Sequence, residues 1–210
     1  MKHLDFLIER YPILADCEKD VRNAIEAVTA CYENGGKLLL CGNGGSCADC
    51  DHIVGELMKG FLKKRPLAEE VKSRIKDRCP QIENETLEKL QTGLGAISIP
   101  SLSALYTAFS NDVDADLSFA QATLALGSQG DVFIGLSTSG NAKNVLEAAR
   151  VARGKGMTVI ALTGKSGGAL AKEADVAIRV NERETFKVQE LHLPVYHCIC
   201  AEVEEHFFEL

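Results

Sequence analysis

The sequence contains few prolines, no long block of basic residues and no apolar run of membrane-spanning length. A membrane helix needs roughly 18 or more consecutive apolar residues, and no run here approaches that length. Five prolines against 18 glycines indicate tight turns rather than proline-rich linkers. The formal net charge is −7, and the basic residues form a block only at 63–65. Binding to membranes or directly to nucleic acid is therefore not expected, since nucleic-acid affinity depends on clustered Lys and Arg.

The overall composition is that of one folded domain. The chain has 210 residues, of which 46% are hydrophobic and 25% are charged, which is typical of a globular protein with a sizeable core. The first 20 residues carry charges every few positions, unlike a signal peptide, so we expect a cytoplasmic protein. Its eight cysteines are then expected to be reduced. They are either small apolar packing residues, or Cys47-Ala-Asp-Cys50 is half of a metal or redox site.

The hydrophobic pattern predicts an α/β fold. Residues 1–36 show helical periodicity, broken into two pieces by Pro12. Five short apolar runs then predict strands buried on both faces, at 37–41, 95–99, 131–136, 157–162 and 175–180. Helical patterns separate most of these runs, and a long helix is predicted from about 187 to 208. Alternating strands and helices are typical of a parallel sheet covered by helices on both sides, a three-layer sandwich.

One segment, residues 62–93, interrupts this alternation. It contains eight basic and six acidic residues and only weak helical periodicity. We interpret it as a solvated helical insertion in the single domain. It is either a surface flap or a lid over a functional site.

Two polar loops follow predicted strands. One is Gly42-Asn-Gly-Gly-Ser46, which leads into a helix, and the other is Ser137-Thr-Ser-Gly-Asn141. Glycine lets backbone N–H groups approach an anion closely, and a helix N-terminus favours negative charge. Both loops belong at the carboxyl edge of the sheet, where such folds bind ligands. Each alone could be an ordinary turn with a helix cap, but together they predict a site for a phosphorylated small molecule.

Neither loop is a complete nucleotide motif. The third glycine of a dinucleotide fingerprint would be Cys47. A P-loop ending at Gly164-Lys165-Ser166 would need a glycine where Val159 stands.

The titratable residues in helical segments give a weak case for metal or acid–base chemistry. His52 and Glu56 are four apart, hence about 40° apart on one helix face. Gln189 and His197 are eight apart, which separates them by about 12 Å along a helix axis. That distance is too long for one compact site unless the helix bends or different subunits contribute. A lone His is also compatible with a surface or core position.

The motifs together resemble one family. In this order and spacing the chain resembles the sugar isomerase (SIS) domain family and, within it, the phosphoheptose isomerases. The matching residues are Gly42-Asn-Gly-Gly-Ser46, His52-x-x-x-Glu56, Asn111-Asp112, Gly130-Asp-Val, Leu136-Ser-Thr-Ser-Gly-Asn141, Leu162-Thr-Gly-Lys165, Gly167-Gly168 and Gln189-Glu-x-His192-x-x-x-x-His197.

The resemblance implies a five-stranded parallel sheet in a flavodoxin-like or Rossmann-like arrangement, and a homotetramer with active sites at subunit interfaces. The implied reaction converts sedoheptulose 7-phosphate to D-glycero-D-manno-heptose 7-phosphate through an enediol, with Glu56 as base and His197 as acid. The implied cofactor is Zn²⁺, held by the residues His52, Glu56, Gln189 and His197. The implied substrate-binding residues are Asn43, Gly44, Ser46, Asp112, Ser137, Thr138, Ser139 and Gln189. Because these metal ligands are not cysteines, the cysteines become mostly packing residues.

Two other functions stay open. The resemblance extends to non-catalytic SIS-domain adaptors that bind the bacterial replication initiator protein, and to enzymes or sensors for other sugar phosphates. An adaptor needs neither a base nor an acid, so the presence of His52, Glu56, Gln189 and His197 favours an enzyme. Ala142, where the family often has Ser, and the long insertion leave the substrate more open than the reaction class.

Overall fold

The computed structural model describes residues 1–208. Its N-terminal part is helical and broken at proline, as predicted: α1 (Lys2–Arg10), a 3₁₀ segment (Pro12–Cys17) and α2 (Glu18–Glu33). Pro12 stands at the first position of the 3₁₀ segment, where its missing N–H has no helical partner to lose. Within residues 1–208, no helix combines the length and the apolarity that crossing a membrane requires.

All five predicted strands are present in one parallel sheet. They are β1 (Leu38–Cys41), β2 (Ala96–Ser98), β3 (Val132–Ser137), β4 (Thr158–Thr163) and β5 (Val176–Arg179), in the spatial order β2-β1-β3-β4-β5. Every pairing is parallel. The central strands β1 and β3 are buried at every position, which explains why they are continuous apolar runs rather than alternating ones.

Helices cover both faces of the sheet, so the predicted three-layer sandwich is confirmed. The remaining helices are α3 (Gly45–Met58), α4 (Glu69–Arg78), α5 (Asn84–Lys89), α6 (Ser103–Phe109), α7 (Ser118–Leu126), α8 (Lys143–Gly154), α9 (Leu170–Glu173) and α10 (Thr185–Phe207). One buried cluster joins the sheet to α1, α2, α3 and α10. A second cluster joins the opposite face to α7, α8 and α9.

This strand order creates a switch point between β1 and β3. The chain leaves β1 for α3 on one face of the sheet and leaves β3 for α8 on the other. The loops after the two strands therefore diverge and leave a crevice at the carboxyl edge, which is where open α/β sheets bind ligands.

The charged segment is a helical excursion, as predicted. Its two helices, α4 and α5, are largely exposed, although Leu87 of α5 is buried. The excursion leaves and rejoins the body at adjacent positions, because Pro66 and Gln91 form an antiparallel bridge and the Thr92 N–H donates to the Arg65 carbonyl at 2.7 Å.

The first residues of this segment are less solvated than the sequence suggested. Arg65, counted with the charged residues of a solvated insertion, is only 1% exposed. Its guanidinium pairs with Glu204 of α10, Nε to Oε1 at 2.8 Å. The charge count could not reveal this burial, because the partner lies 139 positions away in the chain.

The cysteines are reduced and mostly buried, as predicted. All eight are free thiols, and the buried ones are Cys17, Cys31, Cys41, Cys50, Cys198 and Cys200. Burial raises the pKa of the Cys41 and Cys50 thiols, which keeps them protonated and unreactive. Cys47 is half-exposed and Cys79 is exposed on the excursion.

Candidate functional site

The glycine loop between β1 and α3 forms one wall of the crevice at the switch point. Gly44 has φ 56° and ψ −121°, a conformation that side-chain-bearing residues rarely adopt. The loop closes through hydrogen bonds from the Ser46 N–H to the Asn43 carbonyl, at 3.0 Å, and from the Cys47 N–H to the Gly44 carbonyl, at 3.1 Å. Asn43 is exposed, whereas Ser46 is buried.

The hydroxyl-rich loop after β3 forms the other wall. Its backbone is tied down by hydrogen bonds from the Gly140 N–H to the Ser137 carbonyl, at 2.9 Å, and from the Gly164 N–H to the Thr138 carbonyl, at 3.0 Å. Ser139 is exposed, Thr138 is half-buried and Ser137 is buried. The Ser139 hydroxyl accepts from the Asn141 N–H at 3.1 Å. This hydrogen bond stabilises the turn, so the loop has a structural role whether or not it binds a ligand.

An amide pair joins the two walls. Asn43 of the glycine loop and Asn144 in the first turn of α8 each donate to the other's side-chain oxygen, both at 2.9 Å. Asn144 Oδ1 also accepts from the Val145 N–H at 3.0 Å. Sequence reasoning missed Asn144, because nothing in its neighbourhood indicates a partner 101 positions away.

A second polar group lies where α3 meets α10. His52 Nε2 is 3.2 Å from Glu56 Oε1 and 3.4 Å from His197 Nε2. We call His52, Glu56 and His197 the site cluster. The helical spacing of four residues places the first two on one face of α3, as predicted, and α10 supplies the third.

The surroundings of the site cluster are partly apolar. The Phe61 ring lies 5.5 Å from the His197 ring, centroid to centroid. Burial and the neighbouring His52 lower the pKa of His197, against the effect of the Glu56 carboxylate. The ammonium of Lys59, three residues further along the chain, is 3.0 Å from Glu56 Oε2, so the carboxylate is already paired with a cation.

Two residues that sequence reasoning missed support His52 from the other side. The Tyr196 hydroxyl is 3.0 Å from His52 Nδ1 and 3.2 Å from Asp49 Oδ1. Burial raises the pKa of Asp49 and of Tyr196. Asp49 could have been found from its spacing of three residues from His52 on a predicted helix, whereas the position of Tyr196 depends on how α3 and α10 pack.

The site cluster has donor atoms that suit zinc. A tetrahedral zinc ion with ligands at about 2.0–2.1 Å separates its ligand atoms by roughly 3.3 Å, close to the two spacings around His52 Nε2. His nitrogen and carboxylate oxygen are both common zinc ligands. Within residues 1–208, however, no three His, Cys, Asp or Glu side chains already form a complete metal-binding arrangement.

Two of the predicted site residues lie away from this cluster. Gln189 packs at the start of α3, where a Cβ added to Gly45 would lie 2.6 Å from Gln189 Nε2. Gln189 and His197 both lie on α10, so eight residues of helix, about 12 Å along the axis, separate them within one chain. Asp112 lies in an exposed π-helical segment, Ser110–Asp114, and accepts a hydrogen bond from Asn111 at 2.9 Å.

Comparison with known families and proteins shows similarity to SIS-domain proteins and to phosphoheptose isomerases. Two family profiles, both described as "SIS domain", match residues 12–96 and 104–199. A relative from Methylibium petroleiphilum named phosphoheptose isomerase is 37% identical over 189 residues, covering 89% of this chain and 82% of that protein.

Solved structures give the same picture. The phosphoheptose isomerase GmhA from Neisseria gonorrhoeae aligns with a TM-score of 0.73 at 31% identity, covering 96% of each chain. A phosphoheptose isomerase from Francisella tularensis aligns with a TM-score of 0.77 at 29% identity, covering 97% of this chain and 95% of that one. Fold and sequence similarity thus extend over nearly the whole molecule.

Proposed function

Because the chain belongs to the SIS domain family and is an aldose–ketose isomerase of phosphosugars, we propose that it interconverts sedoheptulose 7-phosphate and D-glycero-D-manno-heptose 7-phosphate. The observation that carries this proposal is the site cluster, in which a carboxylate and two imidazoles from α3 and α10 lie side by side. The reaction moves a proton between adjacent carbons through an enediol, so it needs a base at carbon and an acid at oxygen.

The proposed proton carriers are Glu56 and His197. Glu56 takes the carbon-bound proton and returns it to the neighbouring carbon. His197 donates a proton to the substrate oxygen and recovers it in the second half of the reaction.

The proposed phosphate site is the crevice between the two loops. Ser46, Ser137, Thr138 and Ser139 supply hydroxyl or backbone donors, and Gly44 allows a close approach of the backbone. The exposed Ser139 and half-buried Thr138 are accessible to a ligand as they stand. Asn43 and Asp112 are the proposed partners of the sugar hydroxyls.

We propose that zinc binds at the site cluster through His52, Glu56 and His197, with Gln189 as a further ligand. When bound, the ion supplies polarisation of the substrate carbonyl and orients the sugar. The two spacings around His52 Nε2 support this assignment.

We further propose a homotetramer in which subunits share the active sites. Two observations support it: Gln189 lies apart from the site cluster within one chain, and large apolar side chains are exposed beside His197. Phe6 is 57% and Leu62 59% exposed, and both border a groove that also contains His197. The mass in solution tests this proposal. The cytoplasmic location expected from the sequence stays a prediction.

The decisive experiment is an isomerase assay with sedoheptulose 7-phosphate on the zinc-loaded protein. We expect turnover, and we expect Glu56→Gln to reduce kcat by about 10²–10⁴-fold, since that is the usual contribution of a general base. Zinc content and mass are measured in parallel, so that lost metal is distinguished from lost base.

The matched control is Glu33→Gln. Glu33 also pairs with a histidine, His206 Nε2 at 2.7 Å, but lies outside the site cluster, so this variant should keep wild-type activity. Absence of turnover with bound zinc would exclude the heptose substrate. Absence of turnover with any ketose phosphate would favour a binding role.

A further inference from the structure

We propose that Asp49 and Tyr196 are positioning residues that fix which ring nitrogen of His52 carries the proton. The inference rests on the proposed function of the site cluster, whose chemistry depends on the free nitrogen of His52. It adds to the site two residues that act on it through His52.

The contacts form a chain of three groups. Asp49 Oδ1 lies 3.2 Å from the Tyr196 hydroxyl oxygen, which lies 3.0 Å from His52 Nδ1. Asp49 and His52 are on α3, and Tyr196 reaches across from α10. Tyr196 is 2% exposed, so packing holds its hydroxyl in place.

The number of protons decides the direction of the hydrogen bonds. A phenol has one proton to donate, and an ionised carboxylate can only accept. The Tyr196 proton therefore goes to Asp49, and the phenol oxygen accepts from His52. This bond requires a proton on His52 Nδ1.

The consequence appears on the opposite edge of the ring. With its proton on Nδ1, His52 has Nε2 as the nitrogen that can bind a metal, and Nε2 faces Glu56 and His197. In the zinc-free protein the Glu56 carboxylate, which can only accept, favours a proton on Nε2, and a bound metal would replace that proton. An unprotonated Nε2 is the form that binds a metal. Outer hydrogen bonds of this kind are how proteins commonly orient a metal-binding histidine.

Asp49 has an unpaired buried oxygen, which lowers stability and is therefore not explained by a purely structural role. Its second oxygen, Oδ2, is buried with no hydrogen-bond partner within residues 1–208. Burying an unpaired polar atom costs about 1–3 kcal/mol. The carboxylate is thus placed for the bond to Tyr196 and not for its own stability.

The first test is ¹⁵N NMR of the zinc-free protein with labelled histidine, recorded at pH 8. His52→Gln assigns the His52 resonances among the five histidines. We expect the wild type to show a protonated Nδ1, whichever state Glu56 gives to Nε2. Tyr196→Phe should give a mixture of the two tautomers.

A second variant, Asp49→Leu, should reverse the tautomer. Without the carboxylate, the phenol proton is free to point at Nδ1, and the ring proton moves to Nε2. Because this change also removes the unpaired Oδ2, we expect no loss of thermal stability. An unprotonated Nδ1 in the wild type, or a fully retained Nδ1 proton in both variants, would overturn the inference.

The third measurement is zinc affinity by competition with a chelator. Tyr196→Phe should weaken binding about 10–100-fold, the usual effect of losing an outer-shell partner. Tyr32→Phe is the matched control, because the Tyr32 hydroxyl donates to the Gly95 carbonyl at 3.2 Å, outside the site cluster. Equal affinities for all three proteins would contradict the inference. A wild type that binds no zinc would instead contradict the proposed metal site, and the NMR result would still decide the tautomer.

Discussion

Helices α3 and α10 meet at two polar clusters that differ in how completely their polar atoms are paired. One is the site cluster, in which His52 is 42% exposed and faces two other groups that can act as acceptors. The other, which we call the base cluster, consists of Arg65, Glu204 and the N–H groups of residues 61–63.

In the base cluster every charge is matched. Glu204 accepts from the three N–H groups at 2.7–3.1 Å and from Arg65 Nε at 2.8 Å. Arg65 also donates to the Leu57 and Glu56 carbonyls at 2.6 and 3.3 Å, which lie at the last turn of α3. Although burial opposes ionisation, these N–H groups and Arg65 hold the pKa of Glu204 below its usual value.

The two clusters therefore use charged groups for different purposes, the base cluster for stability and the site cluster for chemistry. Fully paired and buried groups fix the angle between α3 and α10, since removing either partner leaves an uncompensated charge. The site cluster keeps unsatisfied lone pairs, which are available to a proton, a metal or a substrate. Stability and chemistry should therefore respond to different substitutions.

The largest expected effect on stability is that of Glu204→Gln. It leaves the Arg65 charge buried without a counter-charge and should lower the free energy of unfolding by roughly 3–5 kcal/mol, measured by urea denaturation. Below its melting temperature the variant should keep its kcat within a few-fold.

The control is Glu205→Gln, next in sequence and half-buried, which pairs with Lys2 and Lys63 at 2.9 and 3.1 Å. Because these partners reach solvent more easily than Arg65, this variant should lower the urea midpoint much less than Glu204→Gln. If Glu204→Gln abolished turnover in fully folded protein, the proposed division between the two clusters would be wrong.

A buried but unpaired group on α10 should act through pH. His192 is 0% exposed, and neither ring nitrogen has a hydrogen bond of good geometry within residues 1–208. Burial lowers the pKa of His192 to about 4, despite an opposing effect of the Thr163 backbone. Its unfolded pKa is about 6.5, so the unfolded chain binds a proton more readily.

Stability linked to His192 is therefore present above pH 6.5 and is lost as the pH falls toward 4. His192→Leu should remove this loss, so that its stability relative to the wild type rises by on the order of 3 kcal/mol between pH 7 and pH 4. Thermal unfolding across this pH range measures the difference. Parallel stability curves for the two proteins would contradict the prediction.

The smallest expected effect is at the pair joining the two loops. Asn144→Ala removes its hydrogen bonds with Asn43 and should cost about 1 kcal/mol of stability, while raising KM several-fold because the glycine loop loses its support. Asn34→Ala is the control, since the Asn34 amide donates to the Ala30 carbonyl at 2.7 Å away from the crevice. A KM that rises equally in both variants would show that Asn144 has no specific role in the site.

The sequence was sufficient for the fold because the information was local. Buried parallel strands are apolar at nearly every position, so the five strands could be located as continuous apolar runs in the sequence. Pro12 marked the break between the first two helical segments. The course of the chain at Arg65 was not predictable in this way, because its burial depends on Glu204. A charged residue beside other charges carries no local sign of a distant partner.

The candidate site was partly predictable for the same reason. His52 and Glu56 share one helix turn, so their proximity follows from spacing. The approach of His197 and Tyr196 depends on the packing of α10 against α3. Gln189, Asp112 and the hydroxyl loops stay predictions as site residues, since their roles depend on ligands and on neighbouring subunits.

The bridge between Pro66 and Gln91 makes the excursion structurally independent of the rest of the domain. Residues 67–90 form a loop whose two ends are held next to each other by this bridge, so their length does not affect how the rest of the chain is connected. Doubling the length of such a loop costs only about 0.6 kcal/mol in closure entropy. Evolution could thus lengthen, shorten or exchange this segment with little consequence for folding, and a protein engineer could place a reporter peptide there.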